Sequence, residues 1–216
     1  MYIDKYKRVN LCNLKEGKVK IPPFALEFIS DGCWLCGGSM RTFFDTESVI
    51  NDLDFFFKSN EYLDAFKRQL QILNTTDDFE VETVFVCPKG ELTTYMISYF
   101  CDVTGTFFRV KVQAITKFFY KDIEEALDSF DFTVCQAGMY VTAKGHISFI
   151  FNQRFAKDVR NKQLMLNKVT FPIATLRRLS KYVGYGFYDS KVCLMQLYEE
   201  IRMFNPEGDS LELYMD

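Results

Sequence analysis

Two aspartates, Asp52 and Asp54, flank Leu53 at the head of an aromatic run, Phe55-Phe56-Phe57. In an extended chain, residues i and i+2 point to the same face, so the two carboxylates project together with backbone positions roughly 7 Å apart. Side by side in a hydrophobic strand they repel and are costly to desolvate. A divalent cation relieves both costs. Magnesium takes oxygen ligands, typically one or two carboxylates together with substrate phosphates. Two such ions about 3.5–4 Å apart clamp an in-line displacement at phosphorus. Upstream lie Gly37, Gly38 and Ser39, then Arg41. The glycines permit a sharp bend and close backbone approach to a ligand. A helix opening at Ser39-Met40-Arg41 turns backbone N–H groups toward a phosphate, and the Arg41 guanidinium can grip a phosphate through two donors. Paired acids, a diglycine bend and a cation point to a phosphoryl- or nucleotidyl-handling site.

These residues need a scaffold. Cys33-Trp34-Leu35-Cys36 reads as a short buried strand entering the bend, and Asn51 to Phe57 as a second one. Ser59 reads as the N-cap of a helix over 61–73, where apolar residues recur at helical spacing. Further strands are expected at 81–87, 92–101, 106–115, 130–141 and 146–151, with a strand near 8–14 and short helices at 23–29 and 121–129. From residue 152 the pattern becomes helical, over 154–166, 172–183 and 190–204. Pro172 suits a first helical position, and Gly184 and Gly186 suit a helix end. The order of elements predicts an α+β fold: a mixed sheet flanked by helices over 1–151, then a small helical lobe over 152–216.

Composition narrows the class. The 216 residues are 48% hydrophobic and 17% aromatic, with 23 phenylalanines, which excludes a disordered chain. Seven cysteines are scattered through apolar segments and read as buried thiols of a reducing compartment. Cys33 and Cys36 could be a zinc or redox half-site, but there is no second such pair and His146 is the single histidine; two strand residues is the default reading. The charged N-terminus lacks the apolar core of a signal peptide, and no apolar run reaches membrane-spanning length, so a cytoplasmic protein is expected, with no membrane partner. Net charge is −3, yet residues 154–181 hold eight basic residues against one acid, a local +7. Arg154, Lys157, Arg177, Arg178 and Lys181 belong to this stretch. It reads either as a phosphate-backbone contact surface for RNA or as a solvated helical face.

Gly-Gly-Ser followed by a spacer and Asp-Leu-Asp-Phe resembles the polymerase-β-type nucleotidyltransferase superfamily. GGSMRTFF is similar to the GGxVRD opening of class II CCA-adding enzymes and bacterial poly(A) polymerases. Phe130 to Ala137 (FDFTVCQA) resembles the RDFTxNA stretch of that family, and Leu176-Arg177-Arg178-Leu179 with Tyr185-Gly186-Phe187 resembles its first helix beyond the catalytic head. The resemblance implies transfer of a nucleoside monophosphate from an NTP, ATP or CTP, to a hydroxyl acceptor such as a tRNA-like 3′ end. It implies two Mg2+ ions on Asp52, Asp54 and a third acid, with Gly37, Gly38, Ser39 and Arg41 on the triphosphate. The third position is open between Asp131, the aspartate of the second motif, and Gln113, a polar residue in the strand at 107–115. Thr42 stands where the family has an acid, Phe130 where it has a basic residue, and the acid of its nucleotide-selecting helix motif is not evident around 171–178. A chain with the same fold that binds nucleotide without turnover, and a transferase acting on a protein or small molecule, are the competing readings.

Overall fold

The computed structural model describes residues 4–10, 20–101 and 104–204. Strands β1 (Tyr6–Asn10), β2 (Cys33–Cys36), β3 (Leu53–Phe57), β4 (Phe79–Val86), β5 (Leu92–Cys101), β6 (Thr106–Ile115), β7 (Ala137–Val141) and β8 (Ile147–Asn152) form one sheet, in the order β1-β8-β7-β2-β3-β6-β5-β4. Neighbours pair antiparallel except β3 with β6, which run parallel. Helices α1 (Pro23–Glu27), α2 (Asn60–Leu73), α3 (Ile123–Asp128), α4 (Phe155–Arg160), α5 (Pro172–Gly184) and α6 (Lys191–Met203) surround it. The fold is thus the mixed α+β arrangement read from the sequence.

Strand alternation divides the core. Leu35, Phe55 and Phe57 turn to one face, where Phe28 and Phe66 meet them. Phe55 is fully buried, its ring centroid 5.8 Å from Phe28 and 5.1 Å from Phe66. Trp34, Cys36, Phe56 and Ile150 turn to the other face, under Ile123, Ala126 and Leu127 of α3. α3 starts on an Asp122 cap that accepts from the Glu125 N–H at 2.9 Å, while Glu125 accepts from the Lys121 N–H at 2.7 Å, the reciprocal pairing that satisfies exposed helix-start donors. Phe55→Ala removes a large side chain where two helices and the sheet converge. We expect it to lower unfolding free energy by about 3–5 kcal/mol, measured by chemical denaturation.

Two segments depart from the sequence reading. The strand expected over 130–141 begins only at Ala137; residues 133–135 form a 3-10 turn, and Phe132 bridges to Leu166. Side-chain anchoring to the helical region explains this, since Thr133 donates to Asp158 at 2.7 Å and Asp131 pairs with Arg178. The helix expected over 154–166 stops at Arg160, because Lys162 adopts a left-handed φ of 52°. The chain then forms β9 (Gln163–Leu164), parallel to β10 (Tyr188–Asp189). Residues 11–14 of the expected N-terminal strand, and the tail beyond Phe204, lie outside the described residues. Across position 151 the packing is continuous: Phe155, Leu164, Leu179, Tyr182 and Leu197 share one buried cluster with Leu35 and Phe55. Among the described residues no helix is long and apolar enough to cross a membrane.

The six described cysteines are free thiols: Cys33, Cys36, Cys135 and Cys193 are buried, Cys87 and Cys101 half-buried. Cys33 and Cys36 sit three residues apart on one strand, so they enter opposite core clusters and form no half-site.

Candidate active site

β2 ends at Cys36 and the chain bends at Gly37, whose φ of 93° and ψ of −147° only glycine adopts without strain. A 3-10 helix, Gly38–Phe43, follows. β2 and β3 are antiparallel neighbours with Cys36 opposite Asp54, so the Asp54 carboxylate lies against the bend. A Cβ built at Gly37 would stand 3.2 Å from its Oδ2. Gly37→Ala would therefore strain the backbone and press on that carboxylate. The expected cost is about 1–3 kcal/mol of stability, read by thermal melting, together with a change in Asp54-dependent ligand binding.

Asp52, Asp54, Gly38 and Arg41 line one cavity of about 480 Å³. Asp52 directly precedes β3 and both acids are half-buried. Gln113 lines the same cavity beside Asp54, its register partner across the parallel β3–β6 pair, and its amide stands 3.4 Å from the Thr94 hydroxyl. Lys117, Phe118, Phe171, Tyr185, Lys168 and Lys181 complete much of the far wall and mouth.

Arg41 is buried, and among the described residues it has no carboxylate within the 4.0 Å of a salt bridge. Its guanidinium lies 5.0 Å from the Tyr182 ring centroid and 5.7 Å from that of Phe187, with Nη1 4.0 Å from Cys135 Sγ. Burial works against its charge, but the nearby Cys135 and Tyr182 and the more distant Asp52 hold its pKa above the ordinary value. Cys135 and Tyr182 lie 2.9 Å apart, Sγ to Oη, and burial pushes the thiol up to about 11. This support comes from the 3-10 turn and α5, distant in sequence from Arg41, and no spacing rule points to it.

The remaining expected site residues fall in different places. Ser39 is buried and outside the cavity lining; its carbonyl accepts from the Thr42 hydroxyl at 2.9 Å. Gly37 likewise shapes the bend rather than lining the cavity. Asp131 does line it, but its Oδ2 accepts from Arg178 Nε at 2.6 Å. Burial raises the Asp131 pKa, opposed by Arg178 and Thr175. Among the described residues no three of His, Cys, Asp or Glu come together to hold a metal. The three-acid set of Asp52, Asp54 and Asp131 is therefore not assembled, because Asp131 is spent on the α5 guanidinium.

The basic stretch is largely turned inward as well. Arg154 pairs with buried Asp158 at 3.2 Å, Lys162 with Asp45, Arg178 with Asp131, and Arg160 lies 5.1 Å from the Phe44 ring centroid. Lys157 and Arg177 are exposed, and Lys181 reaches the cavity. The +7 count thus overstates the charge available to a nucleic acid.

A mixed sheet carrying paired aspartates beside a diglycine bend is the layout of nucleotidyltransferase folds, and solved structures agree at the level of fold. The Thermotoga maritima CCA-adding enzyme complexed with tRNA matches with a TM-score of 0.57 at 14% identity, covering 93% of this chain and 46% of that one. CCA-adding enzyme structures with CTP and with ATP match with a TM-score of 0.58 at 13% and 12% identity, each covering 93% of this chain and 47% of theirs. The chain belongs to the Gabija anti-defense 2 family, which it matches over residues 4–162. It is 27% identical over 158 residues to Gabija anti-defense 2 of Bacillus phage SPbetaL7, covering 73% of this chain and 34% of that protein. The chain thus spans about a third of that relative and under half of the CCA-adding enzymes.

Proposed function

We propose that this protein is a metal-dependent nucleotidyltransferase that moves a nucleoside monophosphate from an NTP to a hydroxyl acceptor, and that this transfer serves the counter-defence role for which its family is named. The observation that carries the reading is the meeting of Asp52, Asp54, Gly38 and Arg41 in one cavity of about 480 Å³, a volume within the range of small-molecule sites. Buried guanidinium charge is expensive unless an anion meets it. A triphosphate meets Arg41 while the Gly38 backbone approaches it closely. Asp52 and Asp54 are hard oxygen donors, and the glycine at position 37 leaves Asp54 the space a Cβ would fill, so the pair fits a magnesium ion. Bound there, the metal supplies charge neutralisation for the triphosphate and a lowered pKa for the attacking hydroxyl. Arg41, braced by Tyr182 and Cys135, holds the phosphate chain in place. CTP or ATP is the nucleotide and an RNA 3′ end the acceptor by analogy with the CCA-adding fold; the head over 1–151 carries the chemistry and the segment from 152 closes the cavity.

The test is incubation with labelled NTPs, magnesium and RNA, protein or small-molecule acceptors. Label transfer that disappears with a chelator supports the proposal. Absence of both transfer and metal-dependent NTP binding overturns it. A second reading, a module that binds nucleotide without turnover, is favoured by one observation: the residue registered beside Asp54 is the neutral Gln113 and not an acid. It predicts NTP binding with no transfer to any acceptor.

A further inference from the structure

One cross-strand row passes through the candidate site. Cys36 registers with Asp54, Asp54 with Gln113, Gln113 with Thr94, and Thr94 with Phe85. Directly registered residues share a face, so the catalytic face of the sheet continues from Asp54 across β6 and β5 to the edge strand β4. The same face carries Lys111, Met96 and Glu82 two residues along, and Arg109 and Ser98 two further. Toward β1 this face is covered by α3. Toward β4 it is open: Gln113, Lys111, Met96 and Ser98 are half-buried, while Arg109, Glu82 and Phe85 are exposed.

We propose that this open strip is the acceptor track, and that it takes the last few nucleotides of a single-stranded nucleic acid whose terminal hydroxyl reaches Asp54. The inference rests on the nucleotidyltransferase reading and names the acceptor for that site. Three features select this occupant. The strip is continuous with the cavity through Asp54 and Gln113, so an acceptor lying on it delivers its end to the acids. Its cations, Lys111 and Arg109, are on β6, the strand next to β3, where the phosphates nearest the reacting end must pass. Met96 and Phe85 lie farther out and offer apolar surface to bases, as single-strand binders do. Arg109 is held only by Glu82 at 3.9 Å, both side chains more than half exposed, and a pair of that kind contributes at most about 1 kcal/mol, so a phosphate can displace the acid. Three strand spacings of about 4.8 Å separate Asp54 from Phe85, roughly 14 Å in all, which limits the track to a few extended nucleotides.

The experiment uses the full chain, a fluorescein-labelled ten-nucleotide single-stranded RNA read by anisotropy at several salt concentrations, and magnesium-dependent NTP binding read separately. Lys111→Glu with Arg109→Glu is expected to weaken RNA binding at least tenfold and to flatten the salt slope by about 1.4, two phosphate contacts at about 0.7 each. Phe85→Ala is expected to weaken it a few-fold at unchanged slope. NTP binding and melting temperature stay at the wild-type values. Unchanged RNA affinity in the double variant overturns the inference, as does an acidic peptide displacing the RNA at equal charge concentration, which assigns the strip to a protein acceptor. Wild-type protein that binds NTP but no RNA overturns the track and leaves the transferase reading standing; loss of NTP binding in the wild type sinks that reading itself.

Discussion

Asp54→Asn is expected to lower nucleotidyl transfer by about 10²–10³-fold, the usual cost of removing one electrostatic stabiliser from a transition state, or about 3–4 kcal/mol. The amide matches the carboxylate in shape, so the bend at Gly37 keeps its clearance, and only the charge is lost. That charge is half of the Asp52–Asp54 pair, and without it the pair's hold on a divalent cation weakens. The stability readout moves the other way. Two like charges at the mouth of one cavity repel in the empty protein, so the variant should melt at or slightly above the wild-type temperature. Lost transfer with a retained melting temperature separates a site acid from a structural one. Transfer at the wild-type rate in Asp54→Asn would show that the aspartate pair is not the reaction centre.

Arg178→Met is expected to do the opposite, costing stability. Asp131 is buried against that guanidinium at 2.6 Å. Breaking a buried pair from one side leaves an uncompensated charge, at a cost of about 3–5 kcal/mol. For a chain of this size each kcal/mol lowers the melting temperature by about 2–4 °C, so a drop of roughly 6–20 °C should appear in a thermal scan. Replacing both partners, Asp131→Leu with Arg178→Met, removes the stranded charge and should recover much of the loss. Asp131→Asn tests the role of the carboxylate directly. If it only braces α5 against the 3-10 turn, the variant melts earlier but its folded molecules bind NTP and magnesium as before. If metal-dependent binding disappears while the fold survives, Asp131 has a part in the chemistry that its pairing with Arg178 does not suggest.

The particulars divide by the range over which each signal acts. Asp52, Asp54, Gly37, Gly38 and Arg41 were legible in the chain because their geometry is local. A two-residue strand period sets Asp54 opposite Cys36 once β2 and β3 pair, and a positive φ marks Gly37. Strand and helix identity was legible wherever a long apolar period dominated, as in α2, α5, β5 and β6. The segment after Phe130 was misread because it is apolar enough for a strand, but Asp131 and Thr133 are drawn to partners on α5 and α4, contacts whose sequence separation no periodicity reveals. The basic count over 154–181 misled for the same reason: Asp158, Asp45 and Asp131 neutralise three of its cations from elsewhere in the fold or from within its own helix.

The sequence by itself determined the α+β composition, the aromatic core and the aspartate pair beside the diglycine bend, since each depends on neighbouring residues and on the alternation of a strand. Only the tertiary structure decided which charges remain available to a ligand. It buried Arg41 on Tyr182 and Cys135, committed Asp131 to Arg178, put Gln113 beside Asp54 and left the β6–β5–β4 face open. Charge pairing and sheet order are set by which distant segments meet, and that is fixed by packing the whole chain.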